Sequence, residues 1–342
     1  MLKSLQAGRA IAALSVLAFH LHGSTVLPIW GQSHLAALSA HGNAGVDFFF
    51  VLSGFIIAFA HGDDIGKPDR ALRYFRNRFV RVYPIYWLYT LAFLLLVALF
   101  GAVAPMPETT LDRISSFSLL RLSDGHHPLS VAWTLFYEIA FYLLFSLLIL
   151  SKRLGVAAFS VWAVVILIFH RSTANDDPAG VWTSLACVNF FVGMGAYWVH
   201  RRLNRLGAWA MMLAALGVFI YAGSHVDHGL APRYFKLLVA LACGLLICGV
   251  AAIESRASLN LGPLSVIGNA SYTLYLIHVH VGSAILKLLS RIAWLHTAPA
   301  DLIFVLAVAL TTGVAVALYF AVEKPLVGAF KAHRAVTRPA TA

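Results

Sequence analysis

The sequence predicts an all-α, polytopic membrane protein with about ten transmembrane helices and both termini in the cytoplasm. The 342-residue chain is 60% hydrophobic and only 11% charged, whereas a soluble domain carries about 25% charged residues. Its apolar residues form ten runs, most of them close to the roughly 20 residues that one bilayer crossing needs. Together these observations exclude a collagen, a coiled coil, a disordered chain and a disulfide-stapled secreted module.

The distribution of positive charge supports the same topology. The apolar runs cover residues 5–23, 44–61, 82–103, 130–150, 154–170, 180–199, 207–223, 234–253, 264–286 and 299–322. With a cytoplasmic N-terminus, the inside segments hold 18 lysines and arginines and the outside segments hold 7, as the positive-inside rule requires. The loops at 24–43 and 104–129 are then outside. No internal repeat is evident, so we expect one membrane domain over residues 1–330 and a short cytoplasmic tail over 331–342.

The net charge of +11 is explained by this loop asymmetry, and we expect membrane lipids rather than nucleic acid as its partner. The three cysteines all lie in apolar runs and are predicted to be small buried residues, and no metal site is expected. The N-terminus resembles a signal peptide, but Arg9 and His20 interrupt its apolar stretch. It is therefore predicted to be a retained first helix.

Arg9 and His20 are eleven residues apart, which brings them within about 20° of the same helix face and separates them by roughly 16 Å. A guanidinium suits a phosphate, and an imidazole suits proton transfer at neutral pH. An extended acyl-CoA, with phosphates near Arg9 and a thioester near His20, has about this shape. Alternatively, Arg9 extends to the interface and His20 is a satisfied polar residue in the core.

Asp47 begins the second apolar run, beside Phe48, Phe49 and Phe50. Helix capping is one explanation for it. Because the first two helices are antiparallel and joined by a short loop, we expect Asp47 at the same depth as His20. The hypothesis is a hydrogen-bonded pair in which Asp47 orients the imidazole and raises its basicity.

Two further runs carry polar stripes. In the fourth run Glu138 lies among aromatic residues that include Trp133 and Tyr137, a mixture that suits a sugar ring and its hydroxyls or, alternatively, a membrane-interface belt. In the ninth run Ser271, Tyr275 and His278 share one helix face. This stripe indicates either interhelical hydrogen bonding or the lining of a site.

The segment 67–81 interleaves basic and aromatic residues and is predicted to be a cytoplasmic loop. It ends with Arg78 and Arg81. Attraction to anionic lipid is one explanation. Binding of a coenzyme's phosphates is the other, because arginine matches phosphate geometry.

Five motifs in order resemble the acyltransferase family 3 membrane proteins, which O-acylate extracytoplasmic carbohydrates. They are RAIAALSVLAFH at 9–20, GVDFFFVLSGFII at 45–57, FRNRFVRVYPIYW at 75–87, WTLFYEIAFY at 133–142, and SYTLYLIH at 271–278 with VEKPL at 322–326. The Tyr-Glu version of the fourth motif is similar to members that modify exopolysaccharides. Gly8, Ile139 and His280 depart from the usual family pattern.

The resemblance implies an enzyme of the bacterial inner membrane that transfers an acyl group, with acetyl favoured, from cytoplasmic acyl-CoA to a carbohydrate or lipid-linked saccharide. Acyl-CoA is then a co-substrate, and no bound cofactor is expected. The implied residues are His20 and Asp47 for catalysis, Arg9, Arg78, Arg81 and Ser53 for the donor, and Glu138, Trp133, Tyr137, Tyr275 and His278 for the acceptor. His20 would act as general base or as a transient acyl carrier.

A different class of function uses the same buried charges. A transporter of a glycolipid or organic anion would line its pathway with them. The sequence contains no inverted repeat and no paired broken helices that would favour a transporter, and a scaffold without chemistry would not explain four buried charges.

Overall fold

The computed structural model describes residues 2–100, 106–170, 177–226, 231–254 and 262–336. Over these ranges the regular structure is helical, which confirms the all-α fold class. Nine helices are long and apolar enough to cross a membrane within the described ranges. They are α1 (Lys3–His22), α3 (Ala44–His61), α4 (Ala71–Phe100), α6 (Trp133–Leu150), α7 (Lys152–Phe169), α10 (Arg205–Val226), α11 (Pro232–Glu254), α13 (Ser271–Leu289) and α14 (Ala300–Leu318).

Shorter helices complete the chain. They are α2 (His34–Leu38), α5 (Thr110–Ser118), α8 (Gly180–Thr183), α9 (Val188–His200), α12 (Gly262–Asn269) and α15 (Lys324–Val336), and a π-helical turn (Tyr319–Glu323) joins α14 to α15. The tail boundary predicted at residue 330 falls inside α15. The predicted end of the third run, residues 101–103, and the chain end, 337–342, lie outside the described residues.

The sixth predicted run, 180–199, is divided rather than continuous. The chain is extended at Ser184, whose side chain accepts a hydrogen bond from the backbone of Ala186 and starts a 3₁₀ turn. The apolar helix that follows, Leu185–His200, is shorter than the other nine. The count of ten crossings and the side on which the termini lie therefore stay predictions.

The peripheral helices indicate the surroundings of the molecule. On α7 the side chain of Leu167 is 75% exposed, and on α10 that of Leu213 is 66% exposed. Apolar surface of this kind is stable in lipid. The chain is a multi-pass membrane protein.

The segment 67–81 is not a loop, and that prediction is wrong. After a 3₁₀ turn at Pro68–Arg70, α4 begins at Ala71 and carries the remaining basic residues on its first turns. The cause is local, because alanine, leucine and arginine are strong helix formers. Arg78 and Arg81 are three residues apart on this helix and lie on one face.

Helix α1 is central and packs against α3, α11, α12, α13 and α14. Its approach to α3 is very close, because a Cβ on Gly42 would lie 2.1 Å from the carbonyl oxygen of Ser15, and one on Gly45 would lie 2.5 Å from that of Ala12. Small residues permit this contact between membrane helices. The two glycines therefore fix the antiparallel register of α1 and α3.

The start of α1 is held by the end of α11. The Glu254 carboxylate accepts hydrogen bonds from the backbone N–H groups of Lys3 and Ser4, the latter at 2.9 Å, and from the Ser4 hydroxyl. The first N–H groups of a helix have no partner within the helix, and a negative charge is favourable there. Glu254 therefore caps α1 from another helix.

Replacing this cap tests its contribution to stability. Glu254→Ala should lower the free energy of unfolding in detergent by about 1–3 kcal/mol, because two helical N–H groups lose a charged acceptor. Glu108→Ala is the matched control, since the Glu108 side chain is exposed, and it should leave the free energy unchanged. Equal effects of the two substitutions would contradict the capping role.

Candidate functional site

A cavity of about 250 Å³ opens between α1, α3, α4, α6 and α13. Its walls combine apolar residues, most of them on α3, with charged and hydroxyl-bearing residues that come mainly from the other helices. The polar lining consists of Arg9, Ser53, Arg78, Arg81, Thr134, Glu138, Tyr142, Ser271, Tyr272 and Tyr275. The cavity thus brings together all four predicted donor-binding residues and two of the predicted acceptor-binding residues.

Three arginines face this cavity from two helices. Arg9 is only 8% exposed, and its Nε donates to the Ser271 hydroxyl at 3.0 Å. Arg78 lies over the ring of Tyr142 at 5.6 Å, and its Nε is buried without a hydrogen-bond partner among the described residues.

Arg81 is the third arginine at the cavity, and its guanidinium carbon lies 6.0 Å from the centre of the Tyr272 ring. Within the described ranges, the ion pairs closer than 4.0 Å involve neither these three arginines nor Glu138.

Glu138 lines the same cavity as the four predicted donor-binding residues. Its Oε1 accepts hydrogen bonds from the Ser53 hydroxyl at 3.1 Å and from the Tyr142 hydroxyl. Tyr275 closes another part of the wall, and its hydroxyl lies 2.9 Å from that of Thr134. Glu138 and Tyr275 therefore line the same cavity as the predicted donor-binding residues, and their predicted contact with the acceptor stays a prediction.

Trp133 and Tyr137 pack around an α3 side chain instead. The ring of Phe50 lies 6.4 Å from that of Trp133 and 5.8 Å from that of Tyr137, and the latter two rings are 5.9 Å apart. Tyr137 is 1% exposed. These two residues form part of the core beside the cavity, and their predicted contact with a sugar stays a prediction.

His20 and His278 meet across the contact between α1 and α13. His20 Nδ1 lies 3.2 Å from His278 Nε2 and 2.9 Å from the carbonyl oxygen of Val16. His278 Nδ1 in turn lies 2.7 Å from the carbonyl oxygen of Tyr275. His20 is exposed, whereas His278 is 1% exposed. Because Arg9 and His20 both contact α13, the prediction that they share a helix face is confirmed.

Asp47 does not meet His20, and the predicted hydrogen-bonded pair is wrong. Asp47 Oδ1 accepts from the Asn189 side chain at 2.7 Å. No hydrogen bond joins Asp47 to His20 in the part of the chain that the structure describes. The partner of His20 is His278, which the sequence assigned to the acceptor.

The register of α1 and α3 explains this difference. Gly45 faces Ala12, and a Cβ on Gly8 would meet the ring of Phe48, so Asp47 lies beside the Arg9 end of α1. That position is about ten residues, or about 15 Å, from His20. Asp47 also follows Gly45 by two residues, about 200° around the helix, and points away from α1 toward α9.

Asn189 is the polar partner that sequence reasoning missed. It is 2% exposed and lies in the sixth apolar run. A buried amide within an apolar stretch needs a hydrogen-bond partner, which is the signal that could have drawn attention to it. Tyr272 and Tyr142, which stack on the arginines, gave no such signal because tyrosine is common at membrane interfaces.

Comparison with known proteins identifies the family to which the chain is similar. A family model described as an acyltransferase domain matches residues 2–320. The exopolysaccharide production protein ExoZ of Rhizobium meliloti (strain 1021) is 29% identical over 315 residues, which cover 88% of this chain and 96% of ExoZ. Acyltransferase MdmB of Streptomyces mycarofaciens is 26% identical over 320 residues, which cover 82% of this chain and 79% of MdmB. No solved structure matches the chain.

The Asp47–Asn189 contact can be tested by exchanging its members. Asp47→Ala should lower the free energy of unfolding by about 1–3 kcal/mol, because the buried Asn189 amide loses its acceptor. The double variant Asp47→Asn/Asn189→Asp keeps one amide and one carboxylate and should recover most of that loss. Thermal unfolding in detergent measures both, and a double variant no more stable than Asp47→Ala would contradict the pairing.

Proposed function

Since the chain belongs to the acyltransferase family 3, we propose that it transfers an acyl group, most simply acetyl, from cytoplasmic acyl-CoA to a hydroxyl of a carbohydrate or lipid-linked saccharide. Membership in this family makes the chain an acyl-transferring enzyme and favours that function over a transporter. The proposed location is the bacterial inner membrane. ExoZ, whose name refers to exopolysaccharide production, supports a polysaccharide or its lipid-linked precursor as the acceptor class.

The observation that carries the proposal is the set of three arginines around one cavity without ion-pair partners in the described ranges. The carboxylates of Glu138 and Glu323 attract Arg9 only from beyond ion-pair distance, and buried charges without a direct partner are costly in a membrane protein. A bound anion would compensate them, and the guanidinium group suits phosphate oxygens in particular. The phosphates of an acyl-CoA are such an anion.

The cavity size is consistent with part of that donor. At about 250 Å³ it is smaller than the ~300–1,000 Å³ pockets that hold drug-sized ligands. It would hold phosphate-bearing atoms of the donor near Arg9. His20 lies outside the cavity lining, on the same face of α1 and roughly 16 Å farther along, so the pantetheine arm would have to cover that distance to present the thioester to His20.

His20 then supplies the proton chemistry. As general base, its Nε2 takes the proton of the acceptor hydroxyl while that oxygen attacks the thioester carbonyl. The carbon–sulfur bond breaks, and the CoA thiolate leaves and recovers the proton from Nε2. In the alternative route Nε2 itself attacks the thioester carbonyl, the carbon–sulfur bond breaks, and CoA leaves as the thiolate. The acceptor hydroxyl then attacks the acyl group on Nε2, the carbon–nitrogen bond breaks, and the CoA thiolate takes the hydroxyl proton. Both routes require the same free nitrogen of His20.

The exposed position of His20 suits either route. The segment that contains α2 crosses the end of α1, where the Ser39 hydroxyl donates to the carbonyl oxygen of Ala18 at 3.1 Å. An acceptor sugar would approach His20 beside this segment. Asp47 lies elsewhere, so its predicted catalytic role has no geometric support, and the transfer we propose does not use it.

Replacing His20 tests the catalytic assignment. Purified protein in detergent is given acyl-CoA and a saccharide acceptor, and release of free CoA is followed with a thiol reagent. His20→Ala should reduce kcat at least 100-fold, since acid–base catalysis contributes about 10²–10⁴, while the protein stays folded. His22→Ala is the control, because His22 is exposed on the same helix. A fully active His20→Ala enzyme would overturn the assignment.

Replacing the arginines tests donor binding. Arg9→Ala, Arg78→Ala and Arg81→Ala should each raise the KM for acyl-CoA about tenfold or more, because each removes charged hydrogen bonds to phosphate. Arg76→Ala is the matched control, since Arg76 is on the same helix, exposed, and outside the cavity lining. Unchanged KM values in all three variants would contradict donor binding by these arginines and would favour contact with anionic lipid instead.

A further inference from the structure

We propose that His278 is the positioning residue for His20 and, together with the Val16 carbonyl oxygen, holds the tautomer in which His20 Nε2 is free to react. This inference rests on the proposed function, because it assigns a partner to the catalytic nitrogen. It replaces two earlier expectations, namely that Asp47 would orient His20 and that His278 would bind the acceptor. The argument depends on which hydrogen-bonding groups surround the two rings.

Carbonyl oxygens accept hydrogen bonds and cannot donate them, which determines the protons on both rings. His278 Nδ1 faces the carbonyl oxygen of Tyr275 at 2.7 Å, so Nδ1 carries the proton. In the neutral ring, His278 Nε2 is then an acceptor. It lies 3.2 Å from His20 Nδ1 and must receive a hydrogen bond from it.

The same reasoning applies to His20. Its Nδ1 faces the carbonyl oxygen of Val16 at 2.9 Å as well as His278 Nε2. Both neighbours of this nitrogen are acceptors, so His20 Nδ1 carries the proton and shares it between them. The lone pair of neutral His20 is consequently on Nε2, the nitrogen that either route of acyl transfer needs.

His20 and His278 differ in burial, and this difference assigns them different roles. His278 is 1% exposed and has both ring nitrogens occupied by these hydrogen bonds, so it acts through His20 rather than on a substrate. When His20 Nε2 takes a proton, its Nδ1–H becomes a charged donor and its bond to His278 strengthens. The pair thus does what a carboxylate–histidine pair does in other transferases and hydrolases, with a neutral acceptor in place of the carboxylate.

Three variants of the full-length enzyme in detergent test the inference by CoA release. His278→Met fills a similar volume without a nitrogen acceptor and should lower kcat about 10- to 100-fold, with the KM for acyl-CoA unchanged within about twofold. His278→Gln offers a side-chain oxygen as acceptor and should recover a substantial part of the loss. His280→Ala is the matched control, because His280 stacks on Phe93 at 4.2 Å, and it should keep the wild-type kcat.

Combining substitutions shows whether His278 acts through His20. In a His20→Ala background, His278→Met should cause no further loss, since the residue that it positions is gone. Nitrogen-15 spectra of histidine-labelled protein should show the Nδ1–H tautomer at His20 in the wild type and a smaller fraction of it in His278→Met, where the Val16 carbonyl oxygen alone remains as the acceptor at Nδ1.

The outcomes distinguish this inference from the proposed function. An active His20→Ala enzyme would overturn the catalytic assignment itself. An inactive His20→Ala enzyme together with a wild-type kcat in His278→Met would overturn only the role of His278. Equal losses in His278→Met and His278→Gln, accompanied by lower thermal stability and a raised KM, would identify a purely structural residue and would also overturn it.

Discussion

The packing of α1 against α13 positions the residues to which we assign the chemistry of this protein. Arg9 bonds Ser271 and His20 bonds His278, so the two helices run in the same direction and contact each other at both of these depths. Such polar contacts between membrane helices are favourable because neither partner can be solvated by lipid. The proposed phosphate-binding level at Arg9 and the proposed reactive level at His20 are consequently held on one pair of helices, at a separation set by the rise of α1.

The contact between α3 and α1 explains why Asp47 lies away from His20. Gly42, just before α3, and Gly45, in its first turn, face α1 and bring the two backbones so close that α3 cannot rotate. Asp47 is therefore fixed on the opposite side of α3, with Asn189 as its partner. The approach of α3 to α9 is equally tight, because a Cβ on Gly193 would lie 1.9 Å from the carbonyl oxygen of Val51. The position of Asp47 is thus a consequence of backbone packing on both sides of α3.

These two contacts also explain how much could be predicted from the sequence. Helical periodicity alone placed Arg9 with His20, and it placed Ser271, Tyr275 and His278 on one stripe, because residues on one helix have a fixed angular relation. The same periodicity could have warned against the Asp47–His20 pair, since Gly45 and Asp47 are on nearly opposite faces. The partner across a helix contact depends on the register and crossing of two helices, which no single segment specifies, and for that reason Asn189 and the His20–His278 bond were not predicted.

The position of Glu138 completes the electrostatic argument. A carboxylate among three arginines would ordinarily form an ion pair and cancel one of them. Here its Oε1 is occupied by the hydroxyls of Ser53 and Tyr142, which stabilise the negative charge without neutralising a guanidinium. Aromatic rings lie beside Arg78 and Arg81 and supply weak attraction while leaving the N–H groups available. The direct contacts of the arginines are therefore with neutral groups, the carboxylates of Glu138 and Glu323 attract Arg9 from a longer distance, and the cavity, lined by three arginines and one glutamate, keeps a positive potential that an anionic donor would meet on entry.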